Sequence, residues 1–194
     1  LALPVALSAR AQDTAVVRPD PASVEVAAGE TWVVAFLLEN AADVYGIDVR
    51  ASFDPAVLEI VDADPARPGV QMTPGDFPQP DFVAINAADN AAGSLRYVVT
   101  QVNPRPPASG RGTLFSFSVR GKSSGESPLR VDLVEMANRS GELLPVSAQN
   151  GAVRVTGPTA TLAPTPIVLR PPDAPPPATD APGITATAGA DPLV

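Results

Sequence analysis

Cysteine and histidine are both absent from this 194-residue chain. Their absence excludes disulfides, thiol nucleophiles, zinc sites of the usual ligand types and Ser-His-Asp hydrolysis within it. Lysine is nearly absent too, with Lys122 the only one, and the formal charge is −8. A nucleic-acid surface needs clustered cations to displace counterions, so no nucleic-acid partner is expected. Aromatic residues make up only 5 % of the chain, too few to spend freely on an exposed sugar-stacking row. No apolar run approaches the ~20 residues needed to span a bilayer, so no membrane insertion by this segment is expected.

Proline is what the chain has in excess, at 24 residues, and much of it is concentrated at one end. From residue 157 onward Pro, Ala and Thr dominate. Pro fixes φ and removes backbone donors, while the few apolar residues there cannot offset the entropy of ordering. Residues 157–194 therefore read as a disordered, polyproline-like linker or tail. At the other end, an apolar run from Leu1 to Leu7 leads to Ala9-Arg10-Ala11, a small-x-small pattern suited to signal peptidase. Residues 1–11 thus read as a signal-peptide remnant and imply a secreted, extracellular setting. An ordinary apolar first strand is the alternative.

Between these ends, residues 13–156 have the size of one domain, and alternation is its dominant signal. Val24 and Val26 alternate with polar residues before Ala27-Ala28-Gly29. Trp32, Val34, Phe36 and Leu38 form one period-two face, although the residues between them are also apolar. Ile47, Val49, Ala51 and Phe53 alternate with Asp48, Arg50 and Ser52. The same holds for Leu95, Tyr97 and Val99, for Phe115, Phe117 and Val119, for Leu129, Val131 and Leu133, and for Val153 and Val155. Period two with β-branched and aromatic enrichment marks half-buried strands. Turn signals such as Ala92-Gly93-Ser94, Ser124-Gly125, Ser140-Gly141 and Asn150-Gly151 separate them. Only Asp54-Pro55-Ala56-Val57-Leu58 predicts a helical turn, with Asp54 as its cap. The pattern predicts an all-β, two-sheet β-sandwich of about nine strands, because each half-apolar sheet must bury its inner face against another.

Four motifs in order resemble the cohesin domain, a module of bacterial extracellular scaffold proteins. They are Val24-x-Val26 with Ala28-Gly29-Glu30-Thr31; Val44-Tyr45-Gly46-Ile47-Asp48 leading into Phe53-Asp54-Pro55-x-Val57-Leu58; Gly112-Thr113-Leu114-Phe115-x-Phe117-x-Val119; and Asn150-Gly151-Ala152-Val153-x-Val155. The resemblance covers about residues 14–156. It implies a jelly-roll sandwich and a non-catalytic activity: one sheet face docks a dockerin-bearing protein, as in assembly of polysaccharide-degrading complexes. Calcium in such complexes belongs to the dockerin, so no cofactor of this chain's own is implied. A carbohydrate-binding β-sandwich module and a structural cell-surface adhesion domain are the rival readings, with polysaccharide the less favoured partner.

The resemblance also places the partner-binding residues. Asp48 matches an acceptor position, and Gly46 stands where other members often carry Asn. Ala84 and Asn86, within Phe82-Val83-Ala84-Ile85-Asn86, match contact positions. The outward phase of the neighbouring strands adds Arg50, Arg96, Val98 and Thr100. An exposed Val98 among small polar residues suits a helix-docking patch. Trp32, Phe36, Phe53, Tyr97, Phe115 and Phe117 all fall in the inward phase and form the expected core. Only Tyr45, Phe77 and Phe82 are left near loops, which disfavours sugar stacking. Asp62-Ala63-Asp64 and Asp89-Asn90 lack calcium-loop spacing and read as turn residues. Asp54 with Glu59 is a poor glycosidase pair because Asp54 already serves as a cap. Asn138-Arg139-Ser140 is a glycosylation sequon, meaningful only in a eukaryotic secretory host.

Overall fold

A computed structural model describes residues 14–157 of the chain. The expected leader remnant (1–11) and all but the first residue of the Pro-rich tail (157–194) lie outside the described residues. Those described contain no helix, and thirteen strands: β1 (Ala15–Asp20), β2 (Ser23–Ala27), β3 (Thr31–Val44), β4 (Gly46–Ser52), β5 (Leu58–Val61), β6 (Thr73–Pro74), β7 (Phe82–Asp89), β8 (Ser94–Thr100), β9 (Ala108–Gly121), β10 (Gly125–Ala137), β11 (Leu143–Leu144), β12 (Val146–Ala148) and β13 (Gly151–Thr156). Four of these have only two to four residues, so the longer strands match the expected nine.

The strands form two sheets. The first runs β12-β1-β3-β9-β5, with β6 also on β9; the second runs β2-β13-β10-β4-β8-β7, with β11 also on β10. Most neighbours are antiparallel, but β1 pairs β12 and β2 pairs β13 in parallel. The consecutive strands β1 and β2 therefore belong to opposite sheets. Chain crossings of this kind, together with the two packed sheets, give the jelly-roll sandwich expected from the sequence.

Alternation along the strands puts one face of each sheet into a common core. Val34, Phe36 and Leu38 of β3, Phe115, Phe117 and Val119 of β9, Ile47, Val49 and Ala51 of β4, and Leu95, Tyr97 and Val99 of β8 are all buried. Rings meet at its centre. Phe36 stacks on Phe115 at 4.9 Å and 9°, and Tyr97 reaches across from the other sheet to Phe115 at 4.8 Å. A buried aromatic carries a large apolar area, and such pairs add roughly 0.5–1.5 kcal/mol beyond it.

Two expectations are corrected. Trp32 has the inward phase but is 49 % exposed. Its strand neighbour β1 stops at Asp20, opposite Ala35, so Trp32 is flanked only by β9 through Val119. Leu133 was expected inside with Leu129 and Val131. The β10–β4 register slips between Val131 and Leu133, so Leu133 pairs with the outward residue Arg50. The segment after Asp54, by contrast, is the single capped turn that the sequence predicts. The amides of Val57 and Leu58 donate to the Asp54 carbonyl at 3.1 and 3.0 Å, and the Asp54 side chain accepts from Ala56 at 2.8 Å. Its capping role holds while the helix does not continue, because Leu58 immediately starts β5.

That turn is anchored from two sides. The buried Ser127 hydroxyl oxygen accepts the Asp54 amide at 2.8 Å, and the Gly93 carbonyl accepts the Phe53 amide at 2.8 Å. Gly93 has φ +67°, and a Cβ there would lie 2.3 Å from the Phe53 carbonyl oxygen. Conformation and space both require glycine at this crossing of the β7–β8 turn with the Asp-Pro turn.

Candidate protein-binding interface

The outer face of the second sheet gathers most of the predicted site residues. β4 pairs with β8 in unbroken antiparallel register, so Gly46 opposes Thr100, Asp48 opposes Val98 and Arg50 opposes Arg96. Because Ile47, Val49, Tyr97 and Val99 are buried, these alternate residues face outward. β10 flanks β4 and β7 flanks β8, which extends each pair into a row of four. The first row is Ala137, Gly46, Thr100, Phe82; the second is Glu135, Asp48, Val98, Ile85; the third is Leu133, Arg50, Arg96, Ala87. Successive rows lie about 6.6 Å apart, two strand residues.

Charges occupy the middle of this lattice and apolar groups one side. Arg96 donates to Asp48 in a forked pair, Nε to Oδ1 at 3.1 Å and Nη2 to Oδ2 at 2.7 Å. A two-point guanidinium–carboxylate pair is among the stronger side-chain contacts, and Asp48 holds the Arg96 guanidinium more firmly protonated. The Asp48 carboxylate is 15 % exposed, and Arg50 Nη2 stands 3.5 Å from Oδ2. On the β7–β8 side, the 58 %-exposed Phe82 with Ile85, Val98 and Ala87 forms an apolar strip. Thr100 lines it too, but its hydroxyl donates to the carbonyls of Tyr45 and Gln101.

Two expected members are placed differently. The β7–β8 register slips between Val83 and Ile85, so Ala84 sits exposed at a bulge and Asn86 pairs with the buried Tyr97. Asn86 is thus turned to the inner side. Its amide is used there, accepting from the Met72 amide at 2.8 Å and donating to the Met72 carbonyl at 2.7 Å. The same slip brings Ile85 and Ala87 outward. With Phe82, Leu133 and Glu135, they are the residues of this face that sequence reasoning missed. Both bulges interrupt the period-two count by one residue, and nothing in the local residue types marks them.

The turn residues behave as turn chemistry predicts. Asp62 accepts from the amides of Asp64 and Gln71, Asp89 from those of Ala91 and Ala92, and Glu59 pairs with Arg120 at 2.9 Å. Asn138 is occupied in its own hairpin, donating to the Glu142 carboxylate at 2.7 Å. Among the described residues no group of three or more acidic side chains is placed to hold a metal ion. The exposed rings do not form a platform. Trp32 belongs to the first sheet and Phe82 to the second, while Arg139 lies over the Tyr45 ring at 5.2 Å.

No protein-family model matches the chain, and no curated protein does. Solved structures do. A non-cellulosomal cohesin from the hyperthermophilic archaeon Archaeoglobus fulgidus superposes with a TM-score of 0.57 at 22 % identity, covering 74 % of this chain and 90 % of that one. The solution structure of a cohesin from Clostridium acetobutylicum gives 0.59 at 18 % identity, covering 75 % and 92 %. A chain of a type I cohesin–dockerin complex from Clostridium thermocellum gives 0.60 at 13 % identity, covering 74 % and 100 %. The described residues form a two-sheet β-sandwich. More narrowly, they have the cohesin fold.

Proposed function

We propose that this chain is a non-catalytic, extracellular protein-binding module that docks a dockerin-type partner on the outer face of β10, β4, β8 and β7. The observation that carries this reading is the apolar strip Phe82, Ile85, Val98 and Ala87 beside a fixed Asp48–Arg96 pair. A strip of this kind, on a sheet whose backbone is already ordered, accepts the apolar stripe of an amphipathic helix with little further ordering cost. Row spacing fits the partner: about 6.6 Å between rows compares with roughly 6 Å between helix positions i and i+4.

The solved cohesin–dockerin complexes of the same fold support a dockerin as that partner. Calcium would then be carried by the dockerin. Attachment to polysaccharide-degrading assemblies extends the reading one step further. Sugar stacking has less support, since the exposed Trp32 and Phe82 cannot share one ligand face.

The test is titration of calcium-loaded dockerin modules into the full chain, followed by calorimetry. Binding that disappears on chelation supports the reading. Heat from soluble glycans, with none from any dockerin, overturns it.

A further inference from the structure

The interface is not uniformly satisfied. Three of its acids already have donors: Asp48 has Arg96, Asp132 accepts from the Ser52 hydroxyl at 3.1 Å, and Asp89 accepts two backbone amides. Arg96 is spent on Asp48. Two exposed charged side chains remain in the second and third rows. Arg50 is 49 % exposed and makes no hydrogen bond among the described residues, its nearest acid being Asp48 at 3.5 Å. Glu135 is exposed, pairs in register with Asp48, and likewise makes no hydrogen bond among the described residues. A guanidinium whose only acid is a shared one at 3.5 Å, with its hydrogen-bond donors unused, and a carboxylate with no donor therefore stand in adjacent rows, with the outward-turned Leu133 beside Arg50.

We infer that the partner helix presents a carboxylate to Arg50 and a cation to Glu135, one helical turn apart. This inference rests on the proposed dockerin reading and specifies its chemistry. Arg50 and Glu135 are diagonal neighbours across β4 and β10, roughly 7–8 Å apart, a span that the long side chains of an i, i+4 pair on one helix face can bridge. A planar guanidinium with open donors favours a two-point carboxylate ligand over a hydroxyl. The already-paired Asp48 offers a hydroxyl little, because any newcomer competes with the Arg96 fork. The order of the two charges also fixes which way the helix runs along β4, since the reversed helix would set like charges against each other.

The test uses a display library of calcium-loaded dockerin modules with randomised helix positions, selected against the full chain. Selected binders should carry an acid and a base four residues apart. Arg50→Glu and Glu135→Lys should each weaken them about tenfold or more. The doubly swapped chain, R50E with E135K, should select binders with the charge order reversed. Arg50→Gln, which removes the guanidinium without adding an opposite charge, should weaken the binders too and so separates loss of the contact from like-charge repulsion, and unchanged circular dichroism checks folding. Binders indifferent to both single variants overturn this inference while leaving the dockerin reading intact. No binder at all overturns that reading, and this inference with it.

Discussion

The side chain of Asn86 holds the backbone of Met72 by two hydrogen bonds, 2.8 Å from the Met72 amide and 2.7 Å to its carbonyl. Asn90 does the same to Ile60, at 2.7 and 2.8 Å. In each case a side-chain amide stands in for a neighbouring strand. Together with the Val70–Ala88 bridge, the two clamps tie the 60–72 region to β7 and cover part of an edge that would otherwise present unpaired groups.

Asn86→Ala leaves both Met72 backbone groups without these partners, and Met72 itself is buried. A loss of about 1–3 kcal/mol in unfolding free energy is expected. Denaturant titration at neutral pH reads it, and a change under 0.5 kcal/mol would show that water replaces the clamp without cost.

Val98 is central to the apolar strip. Val98→Arg should weaken dockerin binding about tenfold or more while leaving the melting temperature within a few degrees. Val33→Arg, at a 58 %-exposed position on the outside of the other sheet, is the control and should bind like the unaltered chain. Equal effects of the two would place the interface elsewhere.

Tyr97 is fully buried, and its hydroxyl has no partner. Burial pushes its pKa up to about 12, above an ordinary value near 10. The neutral form is the one the fold accepts, so stability is intact below about pH 10 and falls as pH rises from there toward 12. Tyr97→Phe should melt no lower than the unaltered chain at pH 7 and should lose part of this alkaline decline. Calorimetry at pH 7 and pH 11 checks both; a strongly destabilised Phe variant would mean the hydroxyl is satisfied after all.

Three carboxylates work in the opposite sense. Glu39 is lowered by Arg18, Asp81 by Arg105 and the Val102 amide, and Asp89 by the amides of Ala92 and Ala91. Their contribution is complete above the ordinary carboxylate range near 4 and disappears as pH falls through the depressed folded values. Denaturant midpoints should be level from pH 7 to about 5 and drop below about 4. Asp89→Asn should flatten that drop, and an unchanged acid limb would remove Asp89 from its causes.

The long strands were legible because both faces of the alternation are strongly marked, as in Ile47-Asp48-Val49-Arg50. β1 escaped notice: Ala15-Val16-Val17-Arg18-Pro19-Asp20 carries a proline and too few alternations. Its place is decided by contacts far along the chain, with β3 and β12. The resemblance and the outward phase together brought Gly46, Asp48, Arg50, Arg96, Val98 and Thr100 to one face. Asn86, taken from the resemblance, is turned inward by the bulge between Val83 and Ile85, and Trp32 is exposed because phase says nothing about whether a neighbouring strand extends far enough to cover it. A regular period is a local property, whereas bulges and sheet boundaries are settled by the partner strand.

The first two strands each lie against a strand from the end of the domain, β1 on β12 and β2 on β13. Of the described strands these two are synthesised first, yet their parallel neighbours follow more than a hundred residues later. Until residues 146–156 emerge, β2 has no sheet to join and the sandwich stands open at its seam. The residues that close the seam are thus made last, and a truncation just short of Gly151 would leave the last stitch missing from an otherwise complete weave.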